Sequence, residues 1–232
     1  KPSEAIYSSA DPFPSQLYSQ ESEQYLRGYK ILLLRLHPVT YIPQTGELDY
    51  YCKLTLDLKL VETSEVCPFF RGLPQDAELV SSLVDNPNAV TTYRAVASTM
   101  KMAISGPAQS YDYLIITNYA LNSSFQPLIN WKISKGLKAK TVLVEDIMKD
   151  SRYNSNGLFG DGTGTPMLND TQAHIRNFIK DAYRNWGIEY VLLGGGDGII
   201  PVRGVYDWAG GAYTDYNIPC DMYYGALDGS WE

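Results

Sequence analysis

At 232 residues the chain has room for one large domain or two small ones. It is 44% hydrophobic and 19% charged, an ordinary globular composition, and its net charge of −7 weighs against a general nucleic-acid binder, which would be basic. No apolar run approaches the ~18 residues of a membrane span. The opening "KPSEAIYSSADPFPSQ" lacks the apolar core of a signal peptide, and the nineteen tyrosines suit an amphipathic, extracellular surface.

From Gly28 to about Glu62 the pattern is β. "YKILLLRL" reads as one strand. In "CKLTLDLKLVE" the leucines at 54, 56, 58 and 60 alternate with polar residues, a period of two that puts them on one sheet face. These two runs are expected to pair antiparallel, with the proline- and glycine-bearing "HPVTYIPQTGELDY" turning between them. His37, just before Pro38, reads as structural. Cys52 and Cys67 either bridge in an oxidising compartment or stay separate thiols; with Cys220 they include no CxxC pair, so a structural zinc site is not expected. Residues 81–109 lack a sustained period and are punctuated by Asn86, Pro87, Gly106 and Pro107. We divide the chain there into a β-rich part, 1–105, and an α/β part, 106–232.

After Tyr111 the pattern becomes strand–helix–strand. "YDYLIIT" is a short strand. A helix follows over "NSSFQPLINWKISKG", with Asn122, Ser123 and Ser124 as candidate caps and Pro127 in the first turn. Its apolar face is expected to be Leu128, Ile129, Trp131 and Ile133, and Gly136 to end it. "KAKTVLVED" is the next strand, and "MKDSRYNSNGLFGDGTGTPML" a long loop. "NDTQAHIRNFIKDAYRNWG" is the strongest helix: Ile175, Phe178, Ile179, Ala182 and Trp186 share a face, Asn169 or Asp170 caps it, and Gly187 stops it. "EYVLLGG" is the third strand. Two successive βαβ units imply a parallel sheet with right-handed crossovers.

The run "GGGDGIIP" after that strand invites a phosphate-binding reading, but neither glycine fingerprint fits: Ile199 stands where G-x-G-x-x-G needs glycine, and no Gly-Lys-Ser/Thr follows. No nucleotide is expected. The glycines read better as a sharp turn at the carboxyl edge of a buried strand, where open parallel sheets form sites. Asp197 on that edge could bind a metal, orient a group, or accept backbone hydrogen bonds in the turn. Cys220 and His174 are the only thiol–imidazole pair worth weighing as a dyad. His174 is assigned to the polar side of its helix, and nothing brings the two together. G-x-S-x-G is absent. Asp228 and Glu232 in "LDGSWE", and Asp161 in "FGDGTGT", are weak calcium-ligand candidates, since calcium wants six or more oxygens. The βαβ region reads as unfinished.

The order "YLIITNYALNSSFQPLINWKISKGLKAKTVLVEDI", "IRNFIKDAYRNWGIEYVLLGGGDGIIPVR" and "CDMYYGALDG" resembles the gingipain family of cysteine peptidases. The matching points are W-K-x-x-x-G-L at Trp131–Leu137, V-x-D-I at Val144–Ile147, the glycine–aspartate turn at Asp197, and D-x-x-Y-G at Asp221–Gly225. "GYKILLLRLHPVTYIPQTGELDYY" is similar to the β-rich propeptide of such precursors. The resemblance implies a caspase-like α/β fold after a propeptide, and proteolysis by a Cys–His dyad. It also implies secretion or surface display, protein or peptide substrates, and calcium in several members. The family's histidine lies in a G-H-G motif and its cysteine after a later strand. Neither motif occurs here, so no catalytic residue is assigned in this chain, and the dyad is expected on a downstream segment or second polypeptide. Asp197 and Asp221 are the candidates to organise the cleft. The alternative is a non-catalytic peptide- or sugar-binding α/β module.

Overall fold

The computed structural model describes residues 3–59, 61, 67–93, 110–155, 169–208 and 214–228. The chain divides into two compact units, Lys1–Lys101 and Met102–Glu232.

The first unit opens with a short helix, α1 (Glu4–Tyr7), followed by strands β1 (Tyr18–Leu26) and β2 (Tyr29–Leu36). These two pair antiparallel, with Leu26 opposite Tyr29. Their connection is the two residues Arg27 and Gly28, both with positive φ (+54° and +85°), the geometry that matches the twist of a tight hairpin. Gly28 is needed for space as well as for φ, because a Cβ there would lie 2.3 Å from the Phe70 Cα. A second hairpin, β3 (Val39–Ile42) with β4 (Glu47–Tyr50), occupies the stretch expected only to turn. Its connection ends at Gly46, whose φ is +75°. The partner of β2 is therefore β1, not the leucine-alternating segment. Among the described residues, 53–59 join no strand ladder. Their alternation survives only as partial cover of Leu54 and Leu56, while Leu58 is exposed. A period of two marks a chain that can lie on a surface; a strand also needs a partner edge.

Helices α2 (Pro74–Ser81) and α3 (Pro87–Val90) follow, both opened by proline, the second of them in the stretch that lacks a sustained period. The core here is small. Tyr29, Val80 and Val90 are buried, and the rings of Tyr29, Phe70 and Tyr93 meet at 4.9–5.3 Å. Beneath them Asp76 is buried and held by Arg71 at 2.6 and 2.8 Å, with Arg27 reaching it at 3.7 Å. His37 is half-buried, with its ring 3.3 Å from Ser19 Oγ and its backbone N–H on the Leu17 carbonyl. No disulfide joins Cys52, which is exposed, to Cys67, which is buried.

The second unit is built on a parallel sheet of β5 (Tyr113–Thr117), β6 (Ala139–Leu143) and β7 (Tyr190–Gly194), in the order β6-β5-β7. Central β5 is covered on both faces, which explains its unbroken apolar run. Ile115 packs with Ile129 of α4 (Tyr119–Ser134) on one side. Leu114 and Ile116 face α5 (Val144–Lys149) and α6 (Thr171–Asn185) on the other. Helix α4 begins earlier than its serines suggest. Asn118 is the cap, its side chain accepting from the Leu121 N–H, so Asn122, Ser123 and Ser124 lie inside the helix and so does Pro127. The buried face is also narrower than expected. Ile129 is buried and Leu128 and Phe125 are half-buried, whereas Trp131 and Ile133 are half exposed to solvent. Strand β6 stops at Leu143; Val144, Glu145 and Asp146 start α5 rather than extend the strand. A single 3₁₀ turn, Ser151–Tyr153, comes next, and 156–168 of the expected loop lie outside the described residues.

Helix α6 is capped by Asp170, which accepts from the Ala173 N–H, and Gly187 follows it at φ +77°. Its expected face is inside, but so are His174 and Arg176. His174 is not on a solvent-facing side: it is 3% exposed, with Nε2 2.7 Å from Asn169 Oδ1. An antiparallel pair, β8 (Arg203–Trp208) and β9 (Thr214–Cys220), and the four-residue helix α7 (Met222–Gly225) complete the unit. Among the described residues no helix is long and apolar enough to cross a membrane.

Candidate active-site edge

Strand β5 pairs with β6 on one side and β7 on the other, with α4 on one face and α6 on the opposite face. The order of the sheet therefore reverses between β5 and β7. In open α/β sheets the carboxyl ends at such a reversal form the crevice where ligands bind. Here those ends are Thr117 and Gly194. The buried Thr117 hydroxyl donates to the Gly194 carbonyl and ties the two strands together. Gly194 leaves no room for a side chain, since a Cβ would lie 2.9 Å from the Phe125 ring and 3.1 Å from Ile115.

The turn beyond is closed by its own backbone. The Gly196 carbonyl accepts from the N–H groups of Ile199 (2.8 Å) and Ile200 (3.0 Å). Asp197 is exposed, and its Oδ1 accepts from the Val202 N–H at 2.9 Å, spanning the turn from one side to the other. This is how an aspartate braces a turn. Ile200 is buried and pins the segment to the core. Asp221 is exposed too, at the start of α7, where its backbone carbonyl accepts from the Tyr224 N–H at 3.0 Å. No hydrogen bond or ion pair joins Asp197 to Asp221 among the described residues. Their segments are nevertheless tied, because the Tyr224 hydroxyl donates to the Pro201 carbonyl.

Behind this edge lies a polar cluster that sequence reading missed. Arg203, at the start of β8, makes two parallel bonds to Asp170, each 2.9 Å, the planar fork of a guanidinium on a carboxylate. Arg176 donates to the carbonyls of Tyr223 (2.9 Å) and Ala226 (2.8 Å) at the end of α7. The guanidinium carbons of Arg203 and Arg176 lie 4.6 and 5.0 Å from the centre of the Tyr223 ring. Arg176 and Tyr223 are fully buried. Burial opposes the charge on Asp170, but the bonds from Arg203 and the Ala173 N–H outweigh it and hold the carboxyl below its ordinary range. Burial likewise opposes the charge on Arg203, and the bond to Asp170 outweighs that. The phenols of Tyr223 and Tyr224 are pushed up, chiefly by burial. The available signal was the pair Tyr223–Tyr224, one residue beyond Asp221 after Met222, two large aromatics on a segment too short to form a core alone.

His174 and Cys220 make no hydrogen bond to each other; the His174 ring is engaged by Asn169. Of the calcium candidates, Asp228 is exposed just past α7, and Asp161 and Glu232 lie outside the described residues. Among the described residues no three His, Cys, Asp or Glu side chains are grouped to hold a metal ion.

Two family models match the chain: the C25 propeptide over residues 3–68 and Peptidase family C25 over residues 106–232. Comparison with curated proteins and with solved structures gives no match. The propeptide match lies within the first unit and the peptidase match within the second, which carries the parallel sheet. The chain belongs to Peptidase family C25, the gingipain family, and carries its propeptide followed by peptidase-domain sequence.

Proposed function

We propose that this chain supplies the propeptide and the cleft floor of a secreted or cell-surface cysteine endopeptidase whose catalytic histidine and cysteine lie downstream of Glu232. The supporting observation is the closed turn Gly194–Val202 at the sheet's reversal point, in a chain matched by the C25 peptidase model. In the reaction the thiolate sulfur adds to the scissile carbonyl carbon. The C–N bond then breaks as histidine gives a proton to the leaving amine, and water hydrolyses the thioester. Asp197 keeps the turn closed, and Asp221 borders the cleft at the start of α7. Calcium would be held at one of two separate turns, that of Asp228 and Glu232 or that of Asp161, and would contribute stability rather than chemistry.

The test is thiol labelling of the naturally produced, processed protein during hydrolysis of a peptide substrate. Loss of hydrolysis should track alkylation of a cysteine other than Cys52, Cys67 and Cys220. Native mass spectrometry of the same sample should give a mass above 26.0 kDa that includes this chain. Loss tracking with Cys220 labelling, or a lone inactive 26.0 kDa species, would overturn the assignment.

A further inference from the structure

Helix α7 has four residues, too few to hold itself together. It is instead fixed from outside at three points. Arg176 of α6 takes the carbonyls of Tyr223, within it, and of Ala226, just past its end. The Tyr224 hydroxyl reaches the Pro201 carbonyl at the end of the glycine turn. The third point is Arg203, which bonds Asp170 through both terminal nitrogens, stands 3.4 Å from the Tyr223 hydroxyl and lies against its ring. Asp170 is at the same time the cap of α6. One carboxylate thus sets the start of α6 and, through Arg203 and Tyr223, the seat of α7. Asp221 is two residues from Tyr223 on that segment.

We infer that Asp170, Arg203, Tyr223 and Arg176 form a positioning device that fixes Asp221 at the cleft edge relative to the turn of Asp197. The inference rests on the peptidase reading above. Arg176, Tyr223 and Arg203 are buried away from the surface. They act by holding α7 in one place, and the forked Asp170–Arg203 bond supplies a direction that a lysine, with its single point charge, would not.

The experiment is a double-mutant cycle on the full processed peptidase, read as kcat and KM with a peptide substrate. R203K should lower kcat about tenfold or more while KM moves less than about twofold. D221N should lower kcat as well, and R203K added to D221N should cost little further, because the group being positioned is already gone. A182G, a cavity variant in the buried part of α6 away from the cluster, serves as the stability control. Hydrogen exchange of the Met222–Ala226 amides should quicken in R203K and stay unchanged in A182G. Equal kcat in R203K and A182G, or fully additive losses with D221N, would overturn the positioning role and leave the peptidase reading intact. A wild type with no thiol-dependent hydrolysis would overturn both.

Discussion

The two units solve the burial problem differently. In the second, a central strand is covered on both faces, and Leu114, Ile115 and Ile116 are wholly inaccessible. In the first, two hairpins carry apolar side chains that remain open: Leu48 is 68% and Tyr50 72% exposed, and Leu32, Leu33 and Leu36 are each at least 40% exposed. A parallel sheet exists only when both faces are covered, so its stability is spread over many side chains. A two-stranded hairpin is marginal alone and leans on local devices. Here those are the Arg27–Gly28 turn, the Tyr29–Phe70–Tyr93 rings and the buried Asp76–Arg71 pair. The first unit is thus held at a few points, and the second is held throughout.

The strongest test of that contrast is G28A. The new methyl must enter the Phe70 backbone at a φ that L residues rarely adopt, so the cost should exceed about 3 kcal/mol. Hydrogen exchange on the whole chain should then show the first unit unprotected and the second unchanged. Loss of protection in both would break the comparison. F178A comes next. It removes a buried ring between Tyr153 and Trp186 and should cost the second unit about 3–5 kcal/mol, seen as a lower midpoint in urea with β1–β2 amides unaffected.

The smallest effect is pH-linked. Asp170's carboxyl is depressed in the folded state, so its stabilising share is present above the ordinary value of about 4 and is lost as pH falls through the folded value. D170N keeps a capping side chain but not the charge. It should flatten the second unit's thermal midpoint below about pH 4, and an acid profile identical to wild type would show that Asp170 is not the group responsible.

The parts legible in the sequence are those set by local pattern. The face of α6 follows from spacing, its stop from Gly187, and its cap was narrowed to Asn169 or Asp170; β5, β6 and β7 follow from short apolar runs. What failed depended on partners far along the chain. Residues 53–59 alternate perfectly well, but alternation does not say which edge is available, and β1, rich in Ser, Glu and Gln, took the place beside β2. The start of α4 was misplaced because Asn118 competes for the cap with three later polar residues. Only the packing of Ile129 and Phe125 against the sheet decides the phase. His174 looked like a solvent-side position because its partner, the Asn169 side chain, is invisible to helical periodicity, as are the bonds from Arg176 to the carbonyls of Tyr223 and Ala226. The family resemblance was readable because it rests on the order of several short motifs, while the Asp170–Arg203 link spans 33 residues and leaves no local trace.

The four glycines of the turn after β7 are not equivalent. Gly194 and Gly195 are walled in, by Phe125 and by the Ile199 side chain, whereas a methyl group added at Gly196 or Gly198 would meet nothing within 4 Å. The loop therefore combines a fixed stem with a variable tip. Side chains introduced at 196 and 198 should be accommodated without disturbing the strand beneath. For the experimenter, those same two positions are natural places for a reporter group.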